Sequence, residues 1–395
     1  MKTKENNGSK ASHSAWRFTK YAAVGTLRRM VWLALLAGLL ASVTPARSGV
    51  PGVGGKRDVD VMQVNLYVGG DLSRAIVLDP TDPNYFTKLI QAVTGIYCEI
   101  NLSQPQVRMQ GVADGIAARM PDLVSVEEAS LIRVQSPGDL VLGGSSPATN
   151  VVFDYLQILV DDLNAEGAHY AVAAVTYGVD VEMPMVNMQT GSFDDVRLTD
   201  REAILVRTDL PRGQLRIQNP QGGNFQNVVV TGTGLPLFYG WCSVDATIRG
   251  RNFRYICAHL TEETAPQIQA LQAQELLDKP ANVTQPVMIV GDFNSDLLNR
   301  DGSGALAYNT MVAGGFNDAW AVLHTNNPGG GLTWGHDEFL ANPTVVFGRR
   351  IDLVFFRGAP FVPAESEVQD LWLNRSQPPL WGSDHAALTA GFWLR

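Results

Sequence analysis

An α/β fold built from layered, mixed β-sheets is what this sequence predicts, on three observations. Short apolar runs bounded by turn residues recur from about residue 56 onward, and helical segments with one apolar face interrupt them. A tight Arg249-Gly250-Arg251-Asn252 turn joins two of the runs as a hairpin, which mixes antiparallel pairing into the alternation.

In chain order the runs that read as buried strands are Val59–Tyr67, Leu123–Val126, Tyr170–Thr176, Ala203–Val206, Leu215–Ile217, Leu237–Ile248, Phe253–Leu260, Val287–Val290, Ile351–Phe356 and Ala386–Trp393. Between them Gln106–Met120 places Met109, Val112, Ile116 and Met120 on one helical face, and Glu263–Lys279 is rich in helix formers with Pro266 in its first turn. Val151–Asn164 reads as a third helix, inside a Gly/Ser/Pro-containing stretch, Ala129–Val196, expected to elaborate the rim of a site. With no internal repeat, residues 56–395 are expected to form one domain after a Gly/Pro linker at 49–55.

The amino end differs from the rest. A basic stretch through Arg28 and Arg29, an apolar run from Met30 to Val43 and small residues from Thr44 to Ser48 follow the order of a secretory signal, so residues 1–48 are expected to be removed on export to the periplasm or medium. The arginine pair also admits twin-arginine export, and the apolar run is shorter than the ~20 residues that span a bilayer. This segment holds eight of the 30 Lys/Arg and one of the 39 Asp/Glu, so without it 22 basic residues face 38 acidic ones, near −16. Such a surface repels polyphosphate backbones unless a cation or a basic patch intervenes. Cys98, Cys242 and Cys257 lack CxxC spacing, which argues against a thiolate zinc site; Cys242 and Cys257 lie on the two arms of the hairpin, as a disulfide or as buried thiols.

Polar residues fall where apolar runs stop or start. Asn65 comes near the end of VDVMQVNLY, Glu128 ends PDLVSVEE, Asp292 and Asn294 end PVMIVGDFNSD, Asp352 sits in RRIDLVFF, and Asp384-His385 open GSDHAALTAGF. Converging strand ends would gather carboxylates and amides around one point, the oxygen-rich setting that magnesium prefers. His259 and His385 stand at strand termini with candidate carboxylates to fix their tautomers. Trp334, Trp372 and Trp381 are candidates for docking a substrate group or for rim packing. Arg349 and Arg350 are candidates for phosphate steering or a solvated basic pair, and Asn282 and Asn374 open glycosylation sequons.

In order along the chain, VDVMQVNLYVG, PDLVSVEEAS, LTDREAILVR, RYICAHL, VMIVGDFNSD, LTWGHD with RRIDLVFF, and GSDHAAL resemble the endonuclease/exonuclease/phosphatase superfamily, from about Val59 to Phe392. The resemblance implies a deoxyribonuclease I-like four-layer sandwich, two mixed β-sheets face to face with helices outside and the site at one edge. It implies Asn65, Glu128 and Asp384 on the metal side, with Asn65 and Asn294 holding phosphate. Asp292 with Asn294 would orient the attacking water, His385 would contact the scissile phosphate, and Asp352 would orient His385. His259 resembles a second catalytic histidine, with Asp200 as its carboxylate partner. Glu127 stands where the superfamily has glutamine, leaving the glutamate assignment open by one residue.

The function these readings predict is an exported, metal-dependent phosphoester hydrolase, nuclease-like, acting as a monomer with no protein partner implied. Magnesium is the expected cofactor, with manganese or calcium as alternatives. A sphingomyelinase-like lipid phosphodiesterase, a phosphomonoesterase, and an inactive module binding a phospho-ligand or protein are the competing readings.

Overall fold

Two stacked sheets carry helices on their outer faces, and their central strands are buried on both sides. The computed structural model describes residues 57–374 and 380–395, all within one compact unit. The leader at 1–48, the linker at 49–55, the side chain of Trp372 and the Asn374 sequon fall outside the described residues. The first sheet runs in the order Phe361–Gln369, Ala387–Leu394, Val59–Asn65, Leu123–Glu127, Phe193–Arg207, Leu131–Gln135, Asn150–Asp154, with Tyr170–Val186 also paired to Phe193–Arg207. The second runs Asn317–Asp318, Asp352–Arg357, Val287–Asp292, Arg251–His259, Gly240–Ile248, Leu215–Asn224.

Both sheets are mixed, as expected. Val59–Asn65 lies parallel to Leu123–Glu127, and Arg251–His259 lies parallel to Val287–Asp292; their other neighbours are antiparallel. Parallel neighbours need a crossover. Helices Tyr85–Leu102 and Pro105–Arg119 make the first, and Pro266–Asp278 makes the second. Strand alternation then divides the apolar residues. Val59 and Val61 face the other sheet with Val244, Tyr255, Met288 and Val290, whereas Met62 and Val64 face the helices with Met109, Val112 and Ile116. Ile256, Ile289 and Phe355 pack outward against Ala273, Leu276 and Met311 of the helices behind the second sheet.

Three expectations need correction. Val151–Asn164 is not one helix: Asn150–Asp154 is a strand, and Asp154 caps a helix over Tyr155–Ala165 by accepting from the Gln157 amide at 3.1 Å. The stretch Ala129–Val196 is part of the first sheet rather than an elaboration, because three of its segments pair into it. The runs at 170–176 and 203–206 are the apolar ends of a long ribbon, Tyr170–Val186 with Phe193–Arg207. Beyond them charged pairs such as Arg197 with Asp180 replace the apolar signal. Cys242 and Cys257 face each other in register as free, buried thiols.

Candidate active site

The parallel pairs set the location. Asn65 ends its strand beside Glu127, and His259 ends its strand beside Asp292, which in turn stands beside Asp352 at the start of an antiparallel neighbour. A side chain at residue 291 would not fit this arrangement, since a Cβ on Gly291 would lie 1.9 Å from the Ala258 carbonyl oxygen of the adjacent strand. The sheets meet through Asn65, whose Nδ2 donates to Asp292 Oδ2 at 3.2 Å and to Glu128 Oε1 at 3.0 Å. His385 and Asp384 enter from the turn ahead of Ala387–Leu394. The LTWG segment holds that turn: the Ala386 amide donates to Thr333 O, and Thr333 N donates to Arg349 O, both at 2.7 Å.

Asp292 is central. Its Oδ2 lies 3.8 Å from Nε2 of both His259 and His385, and its Oδ1 accepts from the Asn294 backbone amide at 2.8 Å. His385 Nδ1 is 2.8 Å from Asp352 Oδ2, which orients Nε2 toward Asp292. Asn294, at φ +48°, donates from Nδ2 to Leu260 O at 3.0 Å and sits 3.5 Å from His259 Nε2. Seven of the nine residues expected at the site line one open cleft; Asn65 is fully buried against Glu128 and Asp292, and Asp352 stands behind His385.

Asn65 departs from its expected part on the metal side. Its Oδ1 accepts from the Tyr67 amide at 2.8 Å, which turns Nδ2 toward Glu128 and orients that carboxylate.

The two glutamates take different directions. Glu127 follows the strand alternation into the space between the sheets, where Gln63 Nε2 donates to it at 2.8 Å and Cys257 Sγ lies 3.3 Å away. Burial pushes its carboxyl well above the usual range, reinforced by Cys257 and Asp352. Glu128 adopts a left-handed conformation, φ +52°, which costs about 1–2 kcal/mol for a residue with a side chain and ends the alternation. Its carboxylate accepts from Asn65 and from the Val68 amide, and it lines the cleft. Steady-state kinetics should separate the pair. Glu127→Gln, which mimics the protonated acid, is expected to keep kcat within about threefold, and Glu128→Gln to lower it by about tenfold or more.

His259 also differs from expectation. The carboxylate closest to its Nδ1 is Glu202, at 3.8 Å, while Asp200, two residues earlier on the same strand face, completes a cluster within 4.8 Å. Glutamate's extra methylene explains the substitution of partner: Glu202 is fully buried and reaches toward Nδ1, whereas Asp200 opens onto the cleft. Burial lowers His259 to about 4 and raises Asp200 to about 7. A titration followed by imidazole NMR should therefore find His259 neutral from neutral pH down to about 4; protonation near 6.5 would contradict this environment.

Three further residues act here that the sequence reading passed over. Besides Glu202, Gln63 donates to Glu127 and Asp352 on the inner face shared with Val59 and Val61, a polar residue in an apolar stripe. Arg108 is fully buried one turn ahead of Val112 and donates to the backbone oxygens of Leu66, Tyr67 and Gly382, with its guanidinium 4.9 Å from the Tyr155 ring centroid. An arginine on the apolar face of Gln106–Met120 was the available signal. The pair Arg349-Arg350 is not a solvated one: Arg350 is buried on Asp318 at 2.7 Å, and Arg349 packs over Trp334 and pairs with Glu263 at the cleft. Trp381 is buried, its Nε1 donating to Asn342 O at 2.9 Å, so it packs rather than docks.

The family model described as the Endonuclease/Exonuclease/phosphatase family matches residues 96–385, more than half of the chain. The chain belongs to this family. It is a phosphoester hydrolase by that membership. No curated protein matches it in sequence. Among solved structures it is similar to an endonuclease/exonuclease/phosphatase family protein from Leptotrichia buccalis C-1013-b, with 13% identity and TM-score 0.49 over 85% of this chain and 99% of that one. It is also similar to the endonuclease/exonuclease/phosphatase from Beutenbergia cavernae DSM 12333, with 17% identity and TM-score 0.48 over 86% and 72%. A third is D. rerio TDP2 complexed with single strand DNA product, with 16% identity and TM-score 0.46 over 85% and 98%.

For a hydrolase of this family the donor chemistry of the cleft fits a hard divalent cation. Glu128 and Asp384 offer carboxylate oxygens, and eight carboxylates line the cleft against one arginine. Burial and mutual repulsion raise Asp200, Asp292 and Asp384, a cost that a bound cation would relieve. A second set, Asp292, Asp352 and His385, also lies within 4.8 Å.

Proposed function

We propose that the cleft hydrolyses a phosphodiester by in-line attack of water, with magnesium held by Glu128 and Asp384, and manganese or calcium as alternatives. The supporting observation is Asp292 set 3.8 Å from the Nε2 atoms of two imidazoles whose surroundings push them in opposite directions, His259 down through burial and His385 up through its carboxylate neighbours. When bound, the cation supplies charge stabilisation at the phosphoryl and leaving oxygens. Asp292, its carboxyl raised by burial and by Asp352, takes the proton from the attacking water. His385, kept protonated by Asp352, donates from Nε2 to a phosphoryl oxygen. Neutral His259 with Asn294 bounds the opposite side, the Asn294 amide holds the phosphate, and Asn65 positions the Glu128 and Asp292 carboxylates.

The nuclease-like reading meets an acid-lined cleft whose lone arginine is already paired with Glu263. A polymeric polyanion needs several unpaired cations. That observation favours a small or lipid phosphodiester over nucleic acid.

The test is turnover of plasmid DNA, bis-p-nitrophenyl phosphate, sphingomyelin and an inositol phosphate, with each cation and with chelator. Cleavage abolished by chelator supports the reading; turnover undiminished by chelator contradicts its metal dependence. Export is part of the proposal, and amino-terminal sequencing of protein recovered outside the cytoplasm decides it: a new terminus near residue 49 supports it, and cytoplasmic protein retaining residues 1–48 overturns it.

A further inference from the structure

Beside the acidic cleft lies a second cavity of about 130 Å³, open to solvent and of opposite character. Its floor is the sheet face carrying Val181, Met183 and Val196, and its roof is the Tyr85–Leu102 helix through Leu89, Val93 and Ile96. No charged side chain lines it, and its polar side chains are the hydroxyls of Tyr85, Tyr97, Thr231 and Thr233. The two cavities adjoin: Leu72, Ile76, Val179, Leu198 and Leu237 border both.

We propose that this cavity holds the alkyl or acyl chain of a single lipid-like phosphoester whose phosphate lies in the adjoining cleft. The inference rests on the hydrolase reading of that cleft and names its substrate class. A nucleobase or sugar placed here would strand polar edges without partners, whereas a hydrocarbon chain exchanges water for an aliphatic wall. The shared border explains how one molecule presents both a charged ester and a chain without crossing bulk solvent.

Two measurements on the full chain test it. Alkyl p-nitrophenyl phosphodiesters, methyl through octyl and below aggregation, are hydrolysed with magnesium: water adds at phosphorus, p-nitrophenolate leaves with the P–O electron pair, and the alkyl phosphate remains. KM is expected to fall roughly two- to fourfold per methylene, and Val181→Asp to flatten that dependence. Leu235→Trp, which fills the far wall, serves should the first variant fail to fold. Calorimetry with the matching alkylphosphonates, which do not turn over, reads the cavity without catalysis and should give the same trend in Kd. Chain-length-independent KM and Kd overturn the inference while leaving hydrolysis intact, as would occupation of the cavity by residues ahead of 57. Tighter binding with chain length but no turnover of any ester sustains the chain pocket and overturns the hydrolase reading of the cleft.

Discussion

His385→Ala is expected to lower kcat by about 10²–10⁴, the usual cost of losing a positioned acid or base, with KM changed far less. The size follows from the placement of the imidazole. Burial alone would push it down, but the carboxylates of Asp352, Asp384 and Asp292 outweigh burial and hold it well above its ordinary range. The surroundings of His385 therefore favour its protonated form beside the cleft. The same pairing fixes the sign of the pH dependence. A raised native pKa means that its stabilising contribution is fully present below the unfolded imidazole value of about 6.5 and is lost as pH rises through the native value. Activity that needs the protonated ring falls along the same alkaline limb. Asp352→Asn removes the closest carboxylate, 2.8 Å from Nδ1, so the limb should move toward acid. A pH–rate profile checks this, and an unmoved limb would show that His385 is not the group titrating.

Arg108→Met is expected to destabilise the fold by about 3–5 kcal/mol, although Arg108 lies outside the cleft lining. The guanidinium is fully buried and satisfies the carbonyls of Leu66, Tyr67 and Gly382. Methionine fills much of the volume but donates nothing, leaving three buried acceptors unpaired. Those carbonyls belong to the two loops that carry Asn65 and Asp384, and the arginine charge also lowers the cost of ionising Asp384. Loss of stability should therefore come with loss of kcat in whatever fraction still folds. Denaturant titration paired with kinetics at low temperature separates the effects; a folded variant of wild-type stability would refute the account.

The parts of this architecture that were legible in the sequence are those where an apolar run stops abruptly at a polar residue. GDFN qualifies because a buried strand runs straight into it and SDH because one starts straight after it, and the two-sheet sandwich follows from the same runs once their family order is seen. What stayed hidden obeys other physics. The distal ribbon around Asp180 and Arg197 is held by cross-strand ion pairs on exposed faces, which carry no apolar period. The Tyr85–Leu102 helix does carry one, at Leu89, Val93, Ile96 and Ile100, but its β-branched residues blur the distinction from strand. Glu202 was invisible because a glutamate inside a strand reads as a solvent-facing position, and here it faces a histidine across the sheets. Glu127 and Glu128 could be told apart only by a backbone torsion that no neighbouring residue announces.

The strand Ala387–Leu394 lies between Val59–Asn65 and Phe361–Gln369, so the first sheet is closed by the last of its strands to be synthesised. Until that strand docks, Asn65 and Asp292 have no His385 beside them, and no shorter stretch from the amino side holds a finished reaction centre. Completion of the reaction centre is therefore tied to a pairing between strands more than 320 residues apart in the chain, so catalytic competence is a property of the whole fold and of no local segment.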